Sequence, residues 1–196
     1  IHFKQEEVNV EFLSREELDI LMNKEFAIKR LEQVRDIFVF CCFTALAFVD
    51  VQQLSREHLI KDNNGTLWIR KARQKTNQMC NIPVLSIPQR ILRKYEDNAE
   101  CIKKGVLLPV ISNQRMNAYL KEIADFCGIK KSLSTHTGRH TFSTVIALAN
   151  NVSLENVSKM LGHTNTKMTQ RYAKVLDQSI LRDMQNVREN FSTKTT

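Results

Sequence analysis

The chain lacks several features that would place it in other classes of protein. No stretch of apolar residues approaches the ~20 needed to cross a bilayer. The longest, Ile37 to Val49, stops well short and is broken by Thr44. No secretory signal opens the sequence, so a cytoplasmic protein is expected. The five cysteines, Cys41, Cys42, Cys80, Cys101 and Cys127, include no pair at zinc-knuckle or redox spacing. They read as buried thiols. No internal repeat, low-complexity tract or interdomain linker divides the sequence, and no cluster of Asp and Glu of the kind that holds magnesium accompanies the motifs described below.

What is present is ordinary for a folded domain: 196 residues, 42% hydrophobic and 26% charged, enough to bury a sizeable core. Lys and Arg number 29 against 21 Asp and Glu, a formal charge of +8, with a pI near 9.4. A polyanion is a natural partner for such a surface, although charge alone also fits a merely solvated basic face.

Local signals predict a mainly α fold with one small three-stranded antiparallel sheet. Ser14 and Glu17 form a capping box that starts a helix running to about Lys24, leaving 1–13 as a lead-in and 14–196 as the domain. A second helix from about Ile28 carries Leu31, Val34, Phe38, Cys41, Cys42 and Ala45 at helical spacing. It turns apolar on nearly every face after Ile37, so it is expected at the centre. Asn63-Asn64-Gly65 marks a turn between β-prone runs at Leu59-Ile60 and Thr66 to Ile69, with a third run at Met79 to Leu85 and a polar tip at Gln74 to Gln78. Further helices are expected at about 88–98, 113–127, 136–149, 153–161 and 175–188, with Gly128 and Gly162 ending two of them.

Chemistry concentrates toward the C-terminal half. His136 and Arg139 lie three apart in His136-Thr137-Gly138-Arg139-His140, near the start of a predicted helix, so both can face one anion beside free backbone amides. Leu161-Gly162-His163 follows, then Gln170-Arg171-Tyr172-Ala173. Each motif alone has an ordinary structural explanation, as a surface pair or a packed aromatic.

In combination they resemble the tyrosine recombinases of the phage integrase family. That family carries His-x-x-Arg, then Leu-Gly-His, then a nucleophilic Tyr nine residues after the second His. His136, Arg139, His163 and Tyr172 fill those places in order and spacing. The family's hairpin Lys, followed by Thr and an Ile-Pro segment, is matched by Lys75-Thr76 and Ile82-Pro83. The likeness covers about residues 12 to 180, the family's catalytic domain; its usual N-terminal DNA-binding domains are expected to lie outside this chain.

The resemblance implies a DNA strand transferase that cuts and rejoins duplexes through a 3′-phosphotyrosyl intermediate, with no cofactor and no metal. Tyr172 is the expected nucleophile, Arg139, His136 and His163 the phosphate-binding set, and Lys75 the acid for the leaving 5′-oxygen. Attachment-site DNA and further copies of the chain are the expected partners. A C-terminal helix striped by Leu176, Ile180, Met184 and Val187 is explained most simply by packing on its own domain, while the resemblance implies that it docks on a neighbouring copy. Nucleoid association and a role in moving a mobile genetic element follow from the same likeness.

One position departs from the pattern. The family's first catalytic Arg follows the buried helix in a stretch like Thr-Gly-Leu-Arg, and here Thr44-Ala45-Leu46-Ala47 places Ala47 there. Integrases of conjugative transposons, similar in the Phe48-Val49-Asp50-Val51 continuation, sometimes lack that Arg. Arg73 is the candidate replacement, because strand alternation puts it on the face of Lys75 and leaves Arg70 on the other. Asp50 reads as structural. Two rival readings are a noncatalytic DNA-binding relic and a type IB topoisomerase; the retained set of site residues weighs against the first and the Leu-Gly-His spacing against the second.

Overall fold

Ser14 opens the first helix as expected: its hydroxyl accepts the Glu17 amide while the Glu17 carboxylate accepts the Ser14 amide, and α1 runs over Arg15–Asn23. The computed structural model describes residues 10–173 and Met184. Within them α1 buries Leu18 and Leu21 against α2, Lys29–Thr44. The lead-in is not merely an approach to the fold. Leu13 is fully buried and its amide donates to Thr141 Oγ1, so this segment is fastened to a residue 128 positions further along the chain.

The helix α2 is the hub. Every residue from Asp36 to Thr44 is buried, and α1, α4 Ser86–Lys94, α6 Asn113–Phe126 and α7 Thr135–Thr141 all pack on it. A helix apolar on all sides cannot face water on any of them, and burying each Leu, Ile or Phe contributes roughly 1.5–3 kcal/mol. The buried Asp36 is fully engaged, taking Arg35 Nε at 2.7 Å, Lys94 Nζ at 2.6 Å and Tyr95 Oη at 2.9 Å. Approach of α7 to α2 depends on Gly138: a Cβ there would stand 3.1 Å from Cys41 Cβ and 3.4 Å from the Phe38 ring.

The sheet is the expected one, in the order β1 Leu59–Lys61, β2 Leu67–Ala72, β3 Met79–Pro83, all antiparallel. Ile69 and Ile82 pair across β2 and β3 and face the core. Between α2 and the sheet lies the short α3, Phe48–Gln52.

Two expected helices differ from what forms. The one at 88–98 begins earlier and ends at Lys94, and a separate α5, Ala99–Lys104, follows because Asn98 caps a new start by accepting the amides of Glu100 and Cys101. The one at 136–149 is three pieces: α7, a π-helical stretch Phe142–Ala147 and a 3₁₀ turn Leu148–Asn150. Ser143 and Thr144 hydroxyls donate to the carbonyls of Arg139 and His140, competing with the regular ladder where it loosens. Helices α8, Leu154–Leu161, and α9, Lys167–Ala173, complete the described chain. The expected helix at 175–188 falls outside the described residues except for Met184, which is exposed.

Candidate active site

A second apolar cluster, formed by Ala45, Phe142, Ala147, Val157, Leu161 and Tyr172, sits where the end of α2, the π-helical stretch, α8 and α9 meet. The candidate groups gather around it. Arg139, on α7, is 5% exposed, and its two terminal nitrogens donate to the carbonyls of Ala45 and Leu161. Ala45 caps α2 in the left-handed region, at φ 59°, and Leu161 is the last residue of α8, so one guanidinium ties two helix ends together. Each of those nitrogens carries a second N–H that the carbonyls leave free. Burial, reinforced by nearby Arg73, pulls the Arg139 pKa down to about 10, and it remains cationic at neutral pH.

His163 follows the turn at Gly162, whose φ of 59° ends α8. That turn is closely covered: a Cβ on Gly162 would stand 2.7 Å from Cys80 Sγ and 3.4 Å from Arg73 Cβ and Cδ. The His163 Nδ1 lies 2.8 Å from the buried Thr169 hydroxyl. Burial, then the cations Arg139, Arg73 and Arg171, push its pKa to about 3, so the ring is neutral.

The hairpin tip between β2 and β3 is latched over this turn at two points. Gln74 donates its amide to Asp50 Oδ1 at 3.0 Å, and the Thr76 hydroxyl donates to the Gly162 carbonyl at 3.0 Å. Arg73 is thereby held in the cluster, close enough for its charge to act on both Arg139 and His163. Its Nε and the Asp50 Oδ2 are buried without a hydrogen-bond partner. Lys75 lies between the two latches and is exposed. The expectation that Arg73 and Lys75 share a face is corrected here. Strand alternation stops at Ala72, and the turn, closed by Thr76 and Asn77 amides onto the Arg73 carbonyl, sends the two side chains into different surroundings.

Tyr172, on α9, is 0% exposed. Its hydroxyl lies 2.9 Å from His140 Nδ1 and 2.9 Å from Arg171 Nη2, and the Arg171 guanidinium stands 4.9 Å above the ring centre. Burial, then Arg171, His136 and Arg139, lower the His140 pKa to about 4. His136 itself is exposed in the first turn of α7, so it does not share the buried position of Arg139 despite the three-residue spacing. Ala47 is half-buried and precedes the first turn of α3. Cys41 and Cys80 flank Arg139, and burial raises both thiols, Cys41 to about 12.

The structure thus brings together Arg139, His163, Arg73 and Tyr172, with Lys75 and His136 at the rim. It adds two residues that sequence reasoning passed over, His140 and Arg171. Their only sequence signal is adjacency, since each directly follows or precedes a candidate. Among the described residues no group of three His, Cys, Asp or Glu side chains is placed to hold a metal ion. A groove of about 1030 Å³ bordered by Arg56, Leu59, Leu92, Tyr95 and Ile102 lies elsewhere and shares no residue with this cluster.

A buried tyrosine hydroxyl is thus held by one histidine and one arginine, close to the buried Arg139, and comparison with known proteins gives the chain a family. The chain belongs to the phage integrase family, whose model matches residues 11–179. Its fold is that of tyrosine recombinase catalytic domains. It is 30% identical over 108 residues to the tyrosine recombinase XerD of Corynebacterium glutamicum, a match covering 50% of this chain and 35% of the relative. A shorter match, 46% over 52 residues, is to a tyrosine recombinase of Pseudothermotoga lettingae and covers 26% of this chain and 18% of that protein. The chain therefore aligns with about a third or less of these relatives' lengths.

Among solved structures, the XerH recombinase in a post-cleavage complex with its difH substrate superposes with a TM-score of 0.72 at 18% identity, covering 89% of this chain and 52% of that one. The Tn1549 transposon integrase in complex with a circular intermediate DNA superposes at 0.65 and 17% identity, over 90% of this chain and 66% of that one.

Proposed function

We propose that this chain is the catalytic part of a site-specific recombinase that cleaves and rejoins DNA strands through a 3′-phosphotyrosyl intermediate, in the service of a mobile genetic element. The observation that carries the reading is the position of the Tyr172 hydroxyl, buried among Arg139, Arg171 and His140 and within electrostatic reach of Arg139. A phenol attached to the protein preserves the energy of the broken bond, because the phosphate stays esterified until a new 5′-hydroxyl displaces it. Solved relatives bound to recombination-site or circular-intermediate DNA support DNA as the substrate, and a dimeric lambda integrase complex supports further copies as partners. The element-borne role draws on the likeness to the transposon integrase.

In this reading Arg139 and Arg73 take the nonbridging oxygens of the scissile phosphate. The free N–H groups of Arg139 point past the carbonyls that fix its plane, so its geometry is set before DNA arrives. The Thr169 hydroxyl holds the His163 ring at Nδ1, and with the ring's hydrogen on Nε2, as this reading requires, that N–H bonds a phosphate oxygen. His136 reaches in from the rim. Lys75, on the exposed tip between two latches, protonates the leaving 5′-oxygen. Residues 14–196 act as one catalytic domain, with Val10 to Leu13 its strap rather than a linker. Arg73 stands in for the arginine missing at Ala47, and this favours an enzyme over a noncatalytic relic.

The test is cleavage of a nicked suicide duplex by the full-length protein in EDTA, with Tyr172→Phe beside it. The expected result is a covalent DNA adduct for the parent and none for the variant, with DNA binding retained by both. Cleavage that needs added magnesium, or an adduct that survives Tyr172→Phe, overturns the reading.

A further inference from the structure

The Tyr172 hydroxyl has two neighbours at 2.9 Å, and their chemistry is unequal. Arg171 is a donor only, so its Nη2–H points at a lone pair of the phenolic oxygen. The phenol's own hydrogen is then left for His140 Nδ1, which can receive it when the imidazole is neutral with its hydrogen on Nε2. The surroundings favour that form. His140 is half-buried, and the charged or titratable groups facing it are Arg171 and Tyr172 from α9 and His136 and Arg139 from α7. Burial and the three cation-forming neighbours keep its pKa near 4. An acceptor and a donor thus converge on one phenolic oxygen, in a place closed to bulk water.

We propose that His140 takes the hydroxyl proton of Tyr172 as the phenol attacks the phosphodiester, and that Arg171 holds the phenolic oxygen as it gains negative charge. The inference rests on Tyr172 being the nucleophile. In the forward step the phenolic O–H bond breaks and an N–H bond forms on His140 Nδ1, giving an imidazolium. The phenolic oxygen bonds to phosphorus, the bond from phosphorus to the 5′-oxygen breaks, and that oxygen takes its proton from a separate donor, Lys75 in the reading above. On rejoining, a 5′-hydroxyl returns its proton to Lys75 as its oxygen bonds to phosphorus, the bond from phosphorus to the phenolic oxygen breaks, and His140 returns its proton to that oxygen. No other reactant is consumed. The base gains some strength when it is needed: burial and Arg171 depress the imidazole most in free protein, and a phosphodiester anion docked on Arg139 offsets the smaller part that comes from Arg139.

Two measurements test this. In the full-length protein without DNA, ¹⁵N spectra of the histidines at pH 7, with His140 assigned through His140→Asn, should show Nδ1 bare and Nε2 protonated. A proton on Nδ1 overturns the proposal, and this readout does not depend on cleavage or on the variant's stability. The second compares nicked suicide duplexes with an ordinary 5′-oxygen or a bridging 5′-sulfur at the scissile phosphate. Asparagine keeps an acceptor near the Nδ1 position but cannot take the proton, so His140→Asn should cleave both substrates on the order of 10²-fold more slowly. Lys75→Ala should be slow only with oxygen, because a thiolate leaves without protonation. Parent-like cleavage by His140→Asn, or a deficit abolished by sulfur, overturns the proposal. An adduct that persists in Tyr172→Phe instead marks failure of the nucleophile assignment.

Discussion

Arg73 shows how a single side chain gains a role from its surroundings. Its aliphatic stem lies against the Gly162 turn and its charge acts on Arg139 and His163, while Arg70 is exposed and its charge acts on Asp62. If Arg73 replaces the arginine absent at Ala47, Arg73→Ala slows cleavage at saturating DNA by on the order of 10²–10³-fold, and Ala47→Arg in the same chain restores much of the rate. Arg70→Ala leaves the rate unchanged. A change in DNA affinity alone for Arg73→Ala shows that the residue only grips the backbone. Tyr172, Arg139 and His163 were legible in the sequence because their spacing forms a recognisable pattern. His140 and Arg171 were not. A histidine after Arg139 and an arginine before Tyr172 look like ordinary neighbours until α7 and α9 pack and direct both at one hydroxyl.

Elements whose signals are local were read well: the Ser14 capping box, the all-apolar stretch of α2 and the three strands each depend on residues a few positions apart. Asn98 was read as the tail of one helix, whereas its side chain begins another. The π-helical stretch was invisible, since the hydroxyls of Ser143 and Thr144 announce only that back-bonding is available. Gly162 was identified as a helix terminator, but its contact with β3 was not, because that depends on tertiary packing. Both effects act together in Gly162→Ala: a left-handed backbone conformation costs about 1–2 kcal/mol for a residue with a Cβ, and overpacking against Cys80 adds about 1–3. Urea denaturation should show a loss in that combined range. In a double-mutant cycle with Cys80→Ala the packing part should diminish and the backbone part remain. An unchanged midpoint for Gly162→Ala contradicts the close approach.

At the scale of the whole molecule, the site's neutral histidines make the fold acid-sensitive. His140 and His163 have pKa values lowered from 6.5 to about 4 and about 3, so between those values and 6.5 the unfolded chain binds protons that the folded chain does not. Stability is therefore complete above about pH 6.5 and is lost as pH falls toward 4 and 3. Thermal midpoints should be level near pH 7 and decline by pH 5, above the range where carboxylates titrate, and His140→Asn should flatten that decline. A parent midpoint unchanged from pH 7 to pH 5 contradicts neutral histidines in the fold. The +8 charge, which by itself only suggested a polyanion, gains meaning from the arginines gathered around Tyr172. The central claim, covalent cleavage by that tyrosine, is tested most directly by trapping the full-length protein on a nicked suicide duplex, digesting the denatured adduct and locating the DNA-bearing residue by mass spectrometry. The account predicts a 3′-phosphate ester on Tyr172; an ester on any other residue, or DNA bound tightly with no covalent product, contradicts it.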